Sequence, residues 1–97
     1  MPRDKSVIVT GAGSGIGLAM SIALLADGCN VTAVDRYGES LDALVNRARD
    51  LDGNVHPVPV DLTRPDACAH VVGSALVAFG GIDALVNNAG IGQASVR

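Results

Sequence analysis

Two hydrophobic periods alternate along the chain. Ser6–Thr10 (SVIVT) is a β-branched run of strand length, ended by the glycine-rich segment Gly11–Gly17. Apolar positions then gather from Ile16 to Asp27 as in a helix, and Gly28 stops it. Met20, Leu24 and Leu25 read as its core-facing side chains. Asn30–Asp35 (NVTAVD) is a second strand. Leu41, Leu44, Val45, Ala48 and Leu51 recur at helical spacing, which predicts an amphipathic helix over Glu39–Leu51, closed by Gly53. Val55–Val60 is a third strand. Pro57 and Pro59 each lack a ladder donor, so it belongs at a sheet edge. Thr63 reads as an N-cap, with Asp66 three residues on and Pro65 in the first turn. Cys68, Val71, Val72, Ala75 and Phe79 would line the buried face of that third helix, which Gly80-Gly81 ends. Ile82–Val86 is a fourth strand and runs into Asn87-Asn88-Ala89-Gly90.

The order βαβαβαβ with short connections implies a parallel sheet with helices on both faces, a three-layer α/β architecture of the Rossmann type. Right-handed crossovers put the first two helices on one face and give strand order 3-2-1-4, with the switch point between strands 1 and 4. Ligands in such sheets bind beyond the carboxyl ends of the strands. The glycine loop, Asp35, Asp61 and Asn87-Asn88 all fall at carboxyl ends, so they converge on one rim.

Composition narrows the class. Ninety-seven residues make room for one domain at most, and 48% hydrophobic against 18% charged residues argues against disorder. Tyr37 and Phe79 are the only aromatics, so the core must be aliphatic. A net charge of −3 without a basic stripe argues against nucleic-acid binding. Cys29 and Cys68 form no CxxC and read as reduced thiols and small core residues. His56 and His70 have no ligand partners at metal spacing. No run approaches the length of a signal-peptide core or a membrane span, so the expectation is a cytoplasmic protein.

Glycines stand at 11, 13, 15 and 17. A GxGxxG fingerprint does not fit, because Ile16 or Leu18 would occupy its third glycine position. A P-loop fails for want of Gly-Lys-Ser/Thr. The pattern that fits is GxxxGxG at Gly11, Gly15 and Gly17. Between a strand and a helix, such a loop lets the backbone approach a pyrophosphate, and the helix N-terminus supplies free N–H donors. Ser14 adds a hydroxyl. Asp35 ends the second strand 18 residues after Gly17, where a carboxylate can accept both hydroxyls of an adenosine ribose. It would repel a 2′-phosphate, which favours NAD over NADP. Arg36 works in the other direction: it could stack on adenine or partly offset such a phosphate.

Thr10-Gly11-Ala12-Gly13-Ser14-Gly15-Ile16-Gly17 resembles the TGxxxGxG cofactor motif of the short-chain dehydrogenase/reductase family. Asn87-Asn88-Ala89-Gly90 resembles that family's NNAG motif, and Asp61-Leu62 its adenine-contacting pair after strand 3. Asp83, just before the NNAG strand, also resembles the family pattern, and the resemblance runs from about Lys5 to Gly92. It implies that Gly11, Gly15 and Gly17 shape the pyrophosphate turn and that Ser14 and Ile16 touch the cofactor, with Gly13 a further cofactor-binding candidate in the same loop. Asp35 would take the adenosine ribose, and the Asp61 side chain and Leu62 backbone would flank the adenine, with Arg36 a neighbouring cofactor-binding candidate. Asn88, Ala89 and Gly90 would line the ribose, while Asn87 braces the sheet. The implied activity is NAD(P)-dependent hydride transfer between nicotinamide and a carbonyl or alcohol carbon, by a tyrosine, a lysine four residues on and a serine.

Tyr37 is the only tyrosine, with Leu41 four residues later, and Lys5 is the only lysine. No catalytic residue is therefore assigned. Residues 1–97 read as the N-terminal half of a single NAD(P)-binding domain, truncated before strands 5–7 and bound to an alcohol or ketone substrate only with the other half present. Alone, this half would be poorly stable or would self-associate through strand 4. Two other classes compete. A non-catalytic adenine-nucleotide-binding module is one, separated by a continuation carrying Tyr-x-x-x-Lys. A methyltransferase-like domain with a Gly11-x-Gly13-x-Gly15 loop is the other, disfavoured by Thr10 before the loop and by NNAG.

Overall fold

The computed structural model describes residues 2–88. Four strands, β1 (Ser6–Thr10), β2 (Asn30–Asp35), β3 (Val55–Pro59) and β4 (Ala84–Asn87), alternate with three helices, α1 (Gly15–Ala26), α2 (Gly38–Ala48) and α3 (Ala67–Phe79). The sheet is parallel throughout and ordered β3-β2-β1-β4. Val7 of β1 sits in register with Val31 of β2 and with Ala84 of β4. The winding expected from the hydrophobic pattern is the winding observed.

Two aliphatic cores lie on opposite faces. Val7, Val9, Val31 and Ala33 face Leu25 of α1 and Leu41, Leu44 and Ala48 of α2. Ile8, Val34 and Val58 face Val71 and Ala75 of α3. The first two helices thus share one face, and α3 covers the other, as right-handed crossovers require. β3 is an edge. Asn54 O accepts from Val31 N–H and Val60 N–H donates to Asp35 O, so even-numbered residues of this strand bond to β2. Pro57 and Pro59 fall on the odd positions and turn their missing donors outward.

Several boundaries differ from the sequence expectation, each for a local reason. α2 ends at Ala48 rather than at Leu51. Gly53 N–H donates to Leu25 O at 2.8 Å, and a Cβ on Gly53 would run into the Cys29 carbonyl. That close approach draws the chain out of the helix, although Leu51 still packs on the core. α3 begins at Ala67, not just after Thr63, and Asp66 occupies the N-cap position without a side-chain capping bond. Thr63 instead donates its N–H and its hydroxyl to Asp61, which leaves Pro65 outside the first turn. β4 begins at Ala84 rather than at Ile82. Asp83 is engaged at the head of β1: it accepts from Ser6 N–H through Oδ2 and donates its own N–H to Ser6 O, both at 2.8 Å.

Burial corrects three residues as well. Cys29 is buried, but Cys68 and Val72 are exposed, because nothing among the described residues covers the part of α3 beside β4. Met20 is also exposed, on the outer side of α1. His70 faces outward, and His56 meets Phe79 edge-on with ring centroids 6.4 Å apart.

Leu25 is fully buried where α1, α2 and the sheet meet. Leu25→Ala should lower the unfolding free energy by about 2–5 kcal/mol through lost contacts and a residual cavity. Denaturant melts read this loss directly. A change below about 1 kcal/mol would contradict the packing described.

Candidate functional site

At the carboxyl end of β1 the chain turns through Gly11, whose φ of 64° is left-handed. Ala12 is buried, and its N–H donates to Val34 O at 3.0 Å. Gly13 N–H then donates to Asp35 Oδ2 at 2.9 Å. The loop is thereby tied at two successive residues to the end of β2. Ser14 follows as the N-cap of α1, extended and exposed, with no side-chain capping bond. The helical ladder opens with Leu18 N–H on Ser14 O. The amides of residues 15–17 precede it and need partners from outside the helix. Ile16 stands on this turn 65% exposed, an apolar side chain at a polar rim.

The four glycines do different work. Gly11 and Gly15 supply positive φ, and a Cβ on Gly15 would meet no atom within 4 Å. Gly13 and Gly17 supply space. A Cβ on Gly13 would lie 2.5 Å from Ser40 Cβ and 2.8 Å from Asp35 Oδ2, and one on Gly17 would collide with the Gly11 carbonyl. Gly13 therefore makes room for Ser40 of α2 as well as for Asp35, a role that motif spacing alone does not reveal.

Asp35 is pinned twice. Its Oδ2 accepts from Gly13, and its Oδ1 accepts from Arg36 N–H at 2.7 Å. A carboxylate has about four acceptor positions, so capacity remains for a ligand's hydroxyls. Beside it lies a cavity of about 150 Å³ lined by Gly11, Asp35, Arg36, Asp61, Leu62 and Thr63. Asp61 Oδ1 accepts from Thr63 N–H at 2.9 Å and from the Thr63 hydroxyl at 2.7 Å. Its Oδ2 lies 3.6 Å from an Arg36 guanidinium nitrogen. The Thr63 bonds, more than the neighbouring Arg36 and Arg64 charges, hold the Asp61 carboxyl below the usual carboxylate range, against a smaller desolvation effect. Arg36 also lies over the Tyr37 ring, 5.6 Å from its centroid.

The end of β4 closes the rim. The Thr10 hydroxyl donates to Asn87 Oδ1 at 3.0 Å, so Asn87 ties β4 to β1. Asn88 Nδ2 donates to Gly11 O at 3.3 Å, beside Gly17. The structure thus gathers Gly11, Gly13, Ser14, Gly15, Ile16, Gly17, Asp35, Arg36, Asp61, Leu62 and Asn88 on one rim. Ala89 and Gly90 lie outside the described residues. Sequence reasoning missed Thr63, whose position two residues after an aspartate is the spacing of a side-chain-closed turn. A larger open hollow of about 570 Å³ lies on the flank of α3 and β3, with His56 and His70 as its ionisable groups, away from this rim. No group of three His, Cys, Asp or Glu side chains among the described residues could hold a metal. None of the described helices is long and apolar enough to cross a membrane.

The strand order and the glycine turn define a Rossmann-type α/β protein. The family model described as short chain dehydrogenase matches residues 5–97, and the chain belongs to that family. The 3-oxoacyl-[acyl-carrier-protein] reductase of Thermotoga maritima is 42% identical over 89 residues, which are 92% of this chain and 36% of that protein. An Arabidopsis thaliana 11-beta-hydroxysteroid dehydrogenase is 37% identical over 95% of this chain and 27% of its own length. Among solved structures, a Brucella melitensis 3-oxoacyl-[acyl-carrier protein] reductase in complex with NAD superposes with a TM-score of 0.78 at 36% identity, over 90% of this chain and 34% of that one. The Gluconobacter frateurii L-sorbose reductase, complexed with NADPH and L-sorbose, superposes at 0.79 with 31% identity, over 86% of this chain and 32% of that one. The chain spans about a third of the length of the relatives it matches.

Gly17→Ala should destabilise by about 1–3 kcal/mol, because its Cβ meets backbone rather than a flexible side chain. Gly15→Ala should cost only backbone strain of about 1–2 kcal/mol. Paired thermal melts test the ranking, and equal effects would contradict the assigned roles. The stability that Asp61 contributes is present above the ordinary aspartate pKa and is lost as pH falls through its lowered folded value. Thr63→Val should raise the Asp61 pKa toward the ordinary value in an NMR titration. An unmoved titration would show that these bonds do not set it.

Proposed function

We propose that this rim binds the adenosine-diphosphate portion of a nicotinamide dinucleotide, for a protein that transfers hydride between nicotinamide and a carbonyl or alcohol carbon. The observation that carries the reading is the double tether of Asp35. It holds an acceptor carboxylate against the same glycine loop whose helix presents unpartnered amides.

The residues fit such a group. The amides of residues 15–17 and the free Ser14 hydroxyl are donors for a pyrophosphate. Asp35 has acceptor capacity for two ribose hydroxyls. The cavity beside Leu62 and Asp61 has one apolar and one polar wall, as an adenine edge needs. Ile16 shields the cofactor from water, and Asn88, with Ala89 and Gly90, lines its ribose. When bound, the nicotinamide supplies or accepts the hydride. The chain's own groups bind and orient it. Asp35 places negative charge where a 2′-phosphate would stand, so NAD is preferred to NADP.

The proposal assigns no proton-transfer role within the 97 residues. Tyr37, the only tyrosine, occupies the N-cap of α2 under Arg36, at the adenine end. The reductase and dehydrogenase activities of the relatives support hydride transfer as the reaction of the whole protein. Its substrate is an alcohol or ketone. β4 is an edge in the described sheet and Leu85 is 61% exposed, so self-association through β4 is the accompanying proposal for this segment alone.

NADH fluorescence titration of the native protein tests the reading. Saturable enhancement is expected, and Asp35→Asn should weaken it about tenfold, the scale of one charged hydrogen bond. Absence of saturable binding in the unaltered protein would overturn it.

A further inference from the structure

Arg36 lines the cavity beside Asp35, where the adenosine ribose is proposed to lie, and a free guanidinium there would welcome a 2′-phosphate. It is not free. One guanidinium nitrogen lies 3.6 Å from Asp61 Oδ2, and the group lies over the Tyr37 ring. Asp61 is itself oriented. Both Thr63 bonds fall on Oδ1, which leaves Oδ2 turned to Arg36. Thr63, Asp61 and Arg36 all line the one 150 Å³ cavity beside Asp35.

We propose that Asp61, oriented by Thr63, is a positioning residue for cofactor selection: it holds Arg36 away from a 2′-phosphate and so keeps the rim selective for the unphosphorylated ribose. This rests on the nucleotide-binding reading above. Asp35 and Asp61 together outweigh Arg36, so the cavity carries a net negative charge while the ion pair stands. A 2′-phosphate would have to compete with Asp61 for Arg36 as well as face Asp35. The two aspartates therefore act differently. Asp35 opposes the phosphate directly, and Asp61 withholds the group that would neutralise it. The pair is partly exposed, so the effect is modest in size, on the order of tenfold in selectivity.

The test compares 5′-AMP with adenosine 2′,5′-bisphosphate, which differ only in the 2′-phosphate, by calorimetric titration of the native protein. Asp61→Asn should shift the ratio of dissociation constants about tenfold toward the bisphosphate. Removing a negative charge favours the bisphosphate in any background, so the same substitution is made in Arg36→Ala, where the shift should shrink to about two- to threefold. Thr63→Val, which keeps the charge of Asp61 but frees its orientation, should shift the ratio in the same direction as Asp61→Asn. Equal shifts with and without Arg36, or an unchanged ratio in Asp61→Asn, would overturn the proposal while AMP binding left the nucleotide reading standing. Failure of 5′-AMP to bind the unaltered protein would overturn both.

Discussion

The rest of the structure depends on β1 being buried on both faces. All five of its residues are buried, with Val7 and Val9 turned to one core and Ile8 to the other. A strand in that position must pair on both edges and be covered on both sides. β2 and β4 supply the edges, and helices supply the cover. Because each strand is joined to the next by a helical crossover rather than a hairpin, every strand in the sheet points the same way. The carboxyl ends therefore collect at one rim. The glycine loop, Asp35, Asp61 and Asn88 meet there because β1 lies between the others, not because they are near in sequence.

The rim is held together by a few tethers, most of them between segments distant in the chain. Asp35 holds Gly13, Asn88 holds Gly11, and Thr10 holds Asn87. Each joins a strand end to its neighbour, so the loop is set before any ligand arrives. Such preorganisation lowers the ordering cost of binding. The Thr63–Asp61–Arg36 chain differs from these. Its Thr63–Asp61 bonds are local, its Arg36–Asp61 pair joins the ends of β2 and β3, and the two are partly exposed and linked in series through one carboxylate.

The side of the sheet beyond β1 has another character. Between α3 and β4 lies an apolar hollow of about 280 Å³, bordered by Cys68, Val72 and Leu85. This is the region where helical spacing predicted burial and the structure shows exposure. The periodicity of α3 is that of a helix with a wide apolar face, but Ala67, Val71 and Ala75 are its buried residues. Periodicity marks which residues suit a covered face. It does not tell how much of that face the described residues cover.

Fold class, element order, strand order and the edge position of β3 were legible in the sequence, because they follow from local signals. Hydrophobic period sets element type, glycine and proline set its ends, and the handedness of crossovers sets the winding. The candidate site was legible as a set of residue types at strand ends. What the tertiary structure alone decided is which group each of them serves. Gly13 and Gly17 provide space for neighbours from other segments, Thr63 serves Asp61 rather than α3, and Arg36 pairs with Asp61 while stacking on Tyr37. Each such choice is a competition among partners a few ångströms away, and only folding brings most of those partners within reach.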